Sequence, residues 1–528
     1  MGAAPEPVPQ RDAGRSDGAR AGDRVAWRAG LGVLALLAAP RLLRMLAPWV
    51  WVEDDFYLAS ALLVRLGERP YLDFVHPHLP LLEFAVAAWL WLAGASHRSI
   101  ELLSALALFG TSVLVLRLGT RAFGRRAGVL GACLFAWSSL GFRYHVFERE
   151  SFAALALAAA LLLAFRSPRA SAAASAAIGL CLWLAAAIKL TSLIPACAVL
   201  GHLAWGRGDA RGALRAAAWL AGGLAASLLV CGAVYGSAFW LQIGLFHLSK
   251  GHYAAIAAPL YPARVLDLLA PLFACGALAL ARRRPGAQAL TLLAWVALGY
   301  AFYGFLSPTV WAHNFLELLP ALAALAGHGA ERVWCGLARV RGAAPRGPLP
   351  LARALAPALF TLACLAGPTP LRNESWERGA VYGFGYLARS EVTALADALR
   401  EASSPDAAVV APAFLCFEAG RRPLIRFPET YGVYRDAALR AERDGWLRAW
   451  RDTAAQGFFE RIGSTARHWQ QPLDAALRSG ALPVLIPDSE QMLQAIVGPP
   501  PARLAQLGFR PALRSEHFVV WQRSAAPP

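Results

Sequence analysis

Trp51-Val52-Glu53-Asp54-Asp55-Phe56-Tyr57 places three consecutive carboxylates directly after an apolar segment, residues 27–52, that is long enough to cross a bilayer. A bare charge in hydrocarbon costs at least roughly 2.5 kcal/mol on insertion scales, so these acids must face water, a partner or a substrate at the membrane surface. Arg11, Arg15, Arg20, Arg24 and Arg28 precede the segment. Positive charge gathers on the cytoplasmic side of membrane proteins, so the N-terminus is expected inside and the acids outside.

The whole chain fits that reading. Of its 528 residues, 57% are hydrophobic and only 16% charged, the composition of a polytopic α-helical membrane protein. The net charge of +17 sits largely on arginines in short loops between apolar runs, a pattern of cytoplasmic anchoring and contact with membrane lipids, not of nucleic-acid binding. The eight cysteines are scattered, mostly within apolar runs, and form no C-x-x-C pair, so they read as small buried hydrophobes. Residues 1–27, rich in Pro, Gly, Arg and Asp, read as a disordered cytoplasmic tail. The apolar run after them is too long for a cleaved signal and is expected to stay as the first span.

Charge then decides the path. Residues 81–94 hold about fourteen apolar positions, short of the roughly 20 a span needs, and carry Glu83. Arg117, Arg121, Arg125 and Arg126 make the strongest positive loop of the N-terminal half and belong inside. One crossing, residues 100–118, therefore separates them from the acids; residues 81–94 lie along the outer surface, within a first outer loop of residues 53–98. The next span, 127–141, leads back outside to a second acidic cluster that contains Arg143, Glu148, Arg149 and Glu150. Further spans at 151–165, 172–190, 193–205, 216–235, 265–281, 287–306, 315–330 and 354–367 alternate with basic loops, giving about eleven spans in all. Outer loops carry His247, Lys250, His252 and His313. From residue 369 charge rises and apolar runs shorten. A helix over 392–402 and strands at 407–412, 483–487 and 517–522 suggest a soluble extracytoplasmic α/β domain, residues 369–528, behind a transmembrane catalytic domain at 28–368.

Two acid clusters on one face suit chemistry at the membrane surface. A carboxylate that takes a proton from an attacking hydroxyl must lie within hydrogen-bond reach of it, and a cation must meet the charge left on the departing group. Asp54 or Asp55 suits the first role; Lys250, His252, Arg143 and Lys189 are candidates for the second. Glu148, Glu150, Tyr57 and His313 complete the candidate set. His76 and His78 flank Pro77 and read as a turn, and Trp49, Trp51, Trp89 and Trp91 as interfacial anchors.

The run Glu53-Asp54-Asp55-Phe56-Tyr57, then Ala59, Ala61, Gly67, Pro70-Tyr71-Leu72-Asp73-Phe74, Pro77 and Leu79-Pro80-Leu81, resembles the first outer loop of the GT-C-fold glycosyltransferases. Within that fold it is most similar to the bacterial relatives of protein mannosyltransferases and of the aminoarabinose transferase that modifies lipid A. The resemblance continues through Arg121-Ala122-Phe123-Gly124-Arg125-Arg126, Glu148-Arg149-Glu150-Ser151, Lys189-Leu190-Thr191 and His313-Asn314-Phe315-Leu316, and covers residues 28–335. It implies transfer of a hexose or pentose from a polyprenyl-phosphate carrier to an acceptor on the outer face of the inner membrane, with inversion. It also implies Asp54 as catalytic base with Asp55 next, Glu150 as the second-loop acid with Glu148 as alternative, and Lys189 near the carrier. The sequence requires no cofactor; metal dependence varies within the fold, which leaves a divalent cation open. The chain departs from the pattern in having three acids before Phe56 instead of two, in His76-Pro77-His78-Leu79-Pro80 where a basic residue and a double proline are usual, and in offering only Arg98 for an arginine early in the second span.

Two other classes compete: a transporter or flippase of lipid-linked sugars, and a surface-polysaccharide polymerase or ligase. The first would place polar residues mid-span in repeated halves, and no repeat is visible. The second would use a large late outer loop in place of acids after the first span. Topology is open to direct measurement: a reporter fused after Arg121 should register cytoplasm and one after Ala411 the outer side, and the reverse pair would invert the orientation.

Overall fold

The computed structural model describes residues 48–51, 55–74, 76–139, 147–166, 170–240, 242–243, 260–280, 285–306, 312–340, 386–424, 476–477, 483–486, 504–516 and 518–524, with single positions at Arg28, Gly32 and Leu46. The expected first and last spans, 28–52 and 354–367, lie mostly or wholly outside these residues.

Helices dominate. Helix α1 spans Asp55–Arg65 and α2 spans Leu81–Ala93, both within the expected first outer loop. At 13 residues, α2 is about 20 Å long, short of a bilayer core of about 30 Å. Glycine at Gly94, with φ +84, ends α2, and Ser96 caps the next helix by accepting from the Ser99 amide. That helix, α3 (His97–Phe123), turns at Gly124 (φ +107) into α4 (Arg125–Ser138). Only glycine adopts such a backbone without strain, and the turn holds α3 and α4 side by side. Helices α5 (Arg149–Arg166), α6 (Ala172–Ile188), α7 (Leu193–Gly201), α8 (Ala210–Trp240), α9 (Leu260–Leu280), α10 (Ala287–Ala301) and α11 (Leu319–Val340) complete the bundle. Among the described residues, three stretches are long and apolar enough to cross a membrane: His97–Phe123, Ala210–Trp240 and Ala287–Leu306.

One contiguous apolar core runs through α3 to α11, with Phe135, Phe165, Trp295 and Phe315 fully buried in it. Helices α4 and α11 meet backbone to backbone. A Cβ added at Gly131 would stand 2.9 Å from the Ala323 carbonyl oxygen, so glycine sets that approach. The span expected at 315–330 starts later as an α-helix, at Leu319, because Pro320 lacks an amide proton and is at home only in a helix's first turn. A 3₁₀ segment, Ala312–Leu318, leads into it.

The described residues after 385 form short strands and short helices. Strand β1 (Trp49–Trp51) pairs antiparallel with β2 (Tyr386–Ala388), so the end of the first apolar segment joins the C-terminal layers. Helix α12 (Arg389–Glu401), β3 (Ala408–Val409), α13 (Ala413–Ala419) and β4 (Arg422–Pro423) follow, β3 and β4 running parallel. Strands β5 (Val484–Leu485), β6 (Phe509–Arg514) and β7 (Val519–Arg523) make an antiparallel sheet in the order β5-β7-β6. Helix α12 and strands β3, β5 and β7 fall at the expected positions, whereas β2, β4, β6 and α13 were not expected from the sequence.

Helix α13 locks this layer to the bundle. Phe417 is fully buried among Leu58 and Leu62 of α1, Leu82 of α2 and Ile100 of α3. Next to it Glu418 accepts a hydrogen bond from the His97 amide at 2.9 Å and meets His97 Nδ1 at 2.6 Å, capping the start of α3. Arg389 donates to both Glu101 oxygens, at 3.0 and 2.9 Å, and Arg422 donates to the Leu66 carbonyl at 3.0 Å. Burial opposes the charge of Glu418, but the hydrogen bond and charge of His97 outweigh it and hold the carboxyl below the usual carboxylate range. Because the folded value is depressed, its stabilising contribution is complete above the ordinary glutamate pKa of about 4.3 and is lost as pH falls through the folded value. Glu418→Gln should therefore cost about 1–3 kcal/mol at neutral pH, and the gap between the melting curves of wild type and variant should hold down to pH of about 4.3 and close as pH falls further. A gap independent of pH contradicts the ionised latch.

Candidate active site

The site forms where helices stop being regular. Helix α6 ends because Lys189 turns extended (φ −148, ψ 113), and a 3₁₀ turn, Leu190–Ser192, separates it from α7. Helix α10 ends in a π turn, Phe302–Leu306, and the 3₁₀ segment Ala312–Leu318 follows. Irregular backbone inside an apolar bundle is tolerated where polar groups satisfy it, and here the three irregular segments supply such groups to one place.

Lys189 is at its centre. Its ammonium forms an ion pair with Glu150 Oε1 at the start of α5, and Asn314 Nδ2 donates to that same oxygen at 2.9 Å. His313 bridges the two second-loop acids, with Nε2 at 3.7 Å from Glu150 Oε1 and Nδ1 at 3.5 Å from Glu148 Oε1. On the other side of the ammonium stands Glu317, its Oε1 4.0 Å away. Ser192 donates to Glu317 Oε1 at 3.0 Å and the Tyr303 hydroxyl to Oε2 at 3.2 Å. With its proton committed there, Tyr303 accepts from Thr191 at 2.8 Å. The Tyr303 ring also faces the ammonium, 5.2 Å from its centroid, a cation–π contact. Glu148, Glu150 and Glu317 are all buried, so the cluster keeps its charges in low dielectric, where each interaction is strong and each unanswered charge costly.

A second buried group of charges adjoins the first. Arg149, between the two acids, has its guanidinium on the Glu83 carboxylate, donates to the Ile188 carbonyl at 3.1 Å and covers the Tyr57 ring at 4.5 Å. His76 Nε2 lies 3.3 Å from Glu83 Oε2. Burial alone would raise the Glu83 carboxyl; Arg149, then His76, outweigh it and hold it at about 2.

Of the residues singled out in the sequence, Glu148, Glu150, Lys189 and His313 meet in one cluster, and Tyr57 reaches it through Arg149. Asp55 is the first residue of α1. Asp54, Arg143, Lys250 and His252 lie outside the described residues. Glu148 and Glu150 of the second acidic cluster, and Glu83 of the short apolar helix, all turn inward to cationic or hydrogen-bonding partners, a burial that the sequence did not specify. Sequence reasoning missed Glu317, Tyr303, Ser192 and the central place of Arg149. A usable signal existed for Glu317, an ionisable residue inside an apolar segment.

Glu148, Glu150 and His313 each offer one ligand atom, all within 4.8 Å of one another. Two carboxylates and an imidazole form a donor set for a divalent cation. Glu150 Oε1 already holds the Lys189 ammonium and the Asn314 amide, so an ion on that oxygen would compete with both.

No family model and no curated protein matches the chain. In three dimensions it has the GT-C fold of membrane glycosyltransferases. The aminoarabinose transferase ArnT from Cupriavidus metallidurans in its apo state superposes with a TM-score of 0.60 at 14% identity, over 94% of this chain and 99% of that one. The same protein bound to undecaprenyl phosphate gives 0.57 at 13% identity, with the same coverage. The apo oligosaccharyltransferase of Archaeoglobus fulgidus gives 0.51 at 14% identity, over 94% of this chain and 74% of that one.

Tyr303→Phe tests how tightly the cluster is knit. Removing the hydroxyl leaves Glu317 and Thr191 each short of a buried hydrogen bond, and should cost about 1–3 kcal/mol in denaturant unfolding of the detergent-solubilised protein. A neutral effect would contradict the network.

Proposed function

We propose that this protein is a membrane glycosyltransferase that moves a sugar from a polyprenyl-phosphate carrier to an acceptor at the outer membrane surface. The observation that carries the reading is the ammonium of Lys189, set among buried acids where an apolar helix breaks, on a fold shared end to end with a transferase whose structure holds undecaprenyl phosphate. A cation at such a depth suits a lipid-borne phosphate. Glu148 and His313 beside it, with Arg143, Lys250 and His252 from the outer loops, are the further substrate contacts of this reading.

The chemistry needs few groups. Asp54, or Asp55, takes the proton of the acceptor hydroxyl as its oxygen bonds to the anomeric carbon from the face opposite the phosphate. The bond from that carbon to the phosphate oxygen breaks and polyprenyl phosphate leaves, inverting the centre. Lys189 meets the charge that grows on the departing phosphate. Phosphate is already a good leaving group, so the second carboxylic acid that glycoside hydrolysis uses to protonate the leaving oxygen is unnecessary. Glu150 then serves to hold Lys189 and to orient the acceptor.

The reading includes the finer topology: about eleven spans, an N-terminus in the cytoplasm, a transmembrane catalytic domain at 28–368, and residues 369–528 as an extracytoplasmic α/β domain over the first outer loop. The inward latch of α13 onto α1 supports that arrangement.

Membranes supplied with radiolabelled polyprenyl-phosphate sugar should transfer label in wild type. Asp54→Asn or Asp55→Asn, whichever removes the base, should lower turnover by about 10²–10⁴-fold. Glu150→Gln and Lys189→Met should each lower it by about 10²-fold. Wild-type transfer in all four variants would remove the mechanism.

A further inference from the structure

A buried ion pair is a poor source of stability, because the cost of drying two charges rivals their attraction; well-packed apolar residues of similar volume often do as well or better. Arg149 and Glu83 are nevertheless both only 1% exposed, and their partners are unusually placed. Tyr57, under the guanidinium, is two residues beyond Asp55 in α1. Ile188, whose carbonyl accepts from Arg149, immediately precedes Lys189. Arg149 itself separates Glu148 from Glu150. Asp55, Glu148, Glu150 and Lys189 are thus each within two residues of Arg149 or of one of its contacts, and Glu83 brings in α2 and, through His76, the proline-rich turn before it. The same region is braced by an apolar cluster in which Leu58, Leu82, Phe147 and Ile188 pack together.

We infer that Arg149 is the positioning residue of the site: through Tyr57, Glu83 and the Ile188 carbonyl it sets the separation between the acid-bearing start of α1 and the Glu150–Lys189 pair. Its catalytic consequence rests on the glycosyl-transfer reading. Its role runs through these protein contacts. A planar fork suits the task, since one guanidinium stacks on a ring while its edges donate to a carboxylate and a carbonyl, which an ammonium cannot do in one geometry. A displacement of about 1 Å between reacting groups costs on the order of 10²-fold in rate, so removal of this spacer should be read in turnover before binding.

The test separates positioning from bulk stability. Arg149→Met alone strands the Glu83 carboxylate and should lower both the melting temperature and turnover. The double variant Arg149→Met/Glu83→Leu removes both charges and should melt near wild type. In that double variant kcat should stay down by about 10²-fold with the donor KM within about threefold of wild type. Hydrogen exchange over residues 55–65 should be faster by about tenfold or more, while α4 is unchanged. Arg149→Lys should fall between wild type and Arg149→Met in kcat. If the double variant regains wild-type kcat along with its stability, the pair is only part of the core and the inference fails. If wild type itself transfers no sugar, the glycosyltransferase reading fails, and the exchange measurement alone decides: unchanged exchange over 55–65 overturns the positioning role, and faster exchange upholds it.

Discussion

A charge inside an apolar bundle must be answered within hydrogen-bond reach, and that constraint organises this molecule. Three buried carboxylates and two cations, Arg149 buried and Lys189 partly so, sit at one end of the described helices: Glu83 with Arg149, Glu150 with Lys189, and Glu317 between the ammonium and the hydroxyls of Ser192 and Tyr303. None of these partners is a helical neighbour of the group it answers. Each charge therefore ties segments that are far apart in the chain, and the apolar packing around them then has one register.

The backbone bends to serve that constraint. Lys189 can reach Glu150 because α6 stops at it, and Tyr303, His313, Asn314 and Glu317 all come from segments that are not α-helical. Regular helix supplies the walls of the bundle, and irregular turns supply its chemistry. Further out, α13 holds α1 and the start of α3 through Phe417 and Glu418, so the helix that begins at Asp55 is gripped from both sides. On the proposed reading, a mobile lipid phosphate meets a rigid set of donors.

Much of this was legible in the sequence, and the reasons are physical. Arginine-rich turns and apolar length placed the helices α3 to α11, short apolar runs placed β3 and β5, and alternation placed β7, because these patterns are local. The outer acids were found because charge next to long apolar runs is conspicuous, and Glu148, Glu150, Lys189 and His313 do converge. Burial was not legible. Glu148 and Glu150 stand in a short polar stretch that reads as solvated, and nothing local shows that His313 and Asn314, more than 160 positions away, close over them. Arg149 read as one more loop charge, since its partners Glu83 and the Ile188 carbonyl are set only by the packing of three helices. Glu317 was passed over for a different reason: one acid in an apolar run tends to be averaged away when hydropathy is summed over a window.

On the proposed reading the Lys189 ammonium is the seat of a lipid phosphate, and a structure solved with polyprenyl monophosphate bound tests that most directly. It should show a phosphate oxygen within about 3 Å of Lys189 Nζ, the prenyl chain leaving along the apolar helices, and the Glu150 contact loosened or shared. A phosphate seated on other residues, with the Lys189–Glu150 pair intact and out of reach, would contradict it.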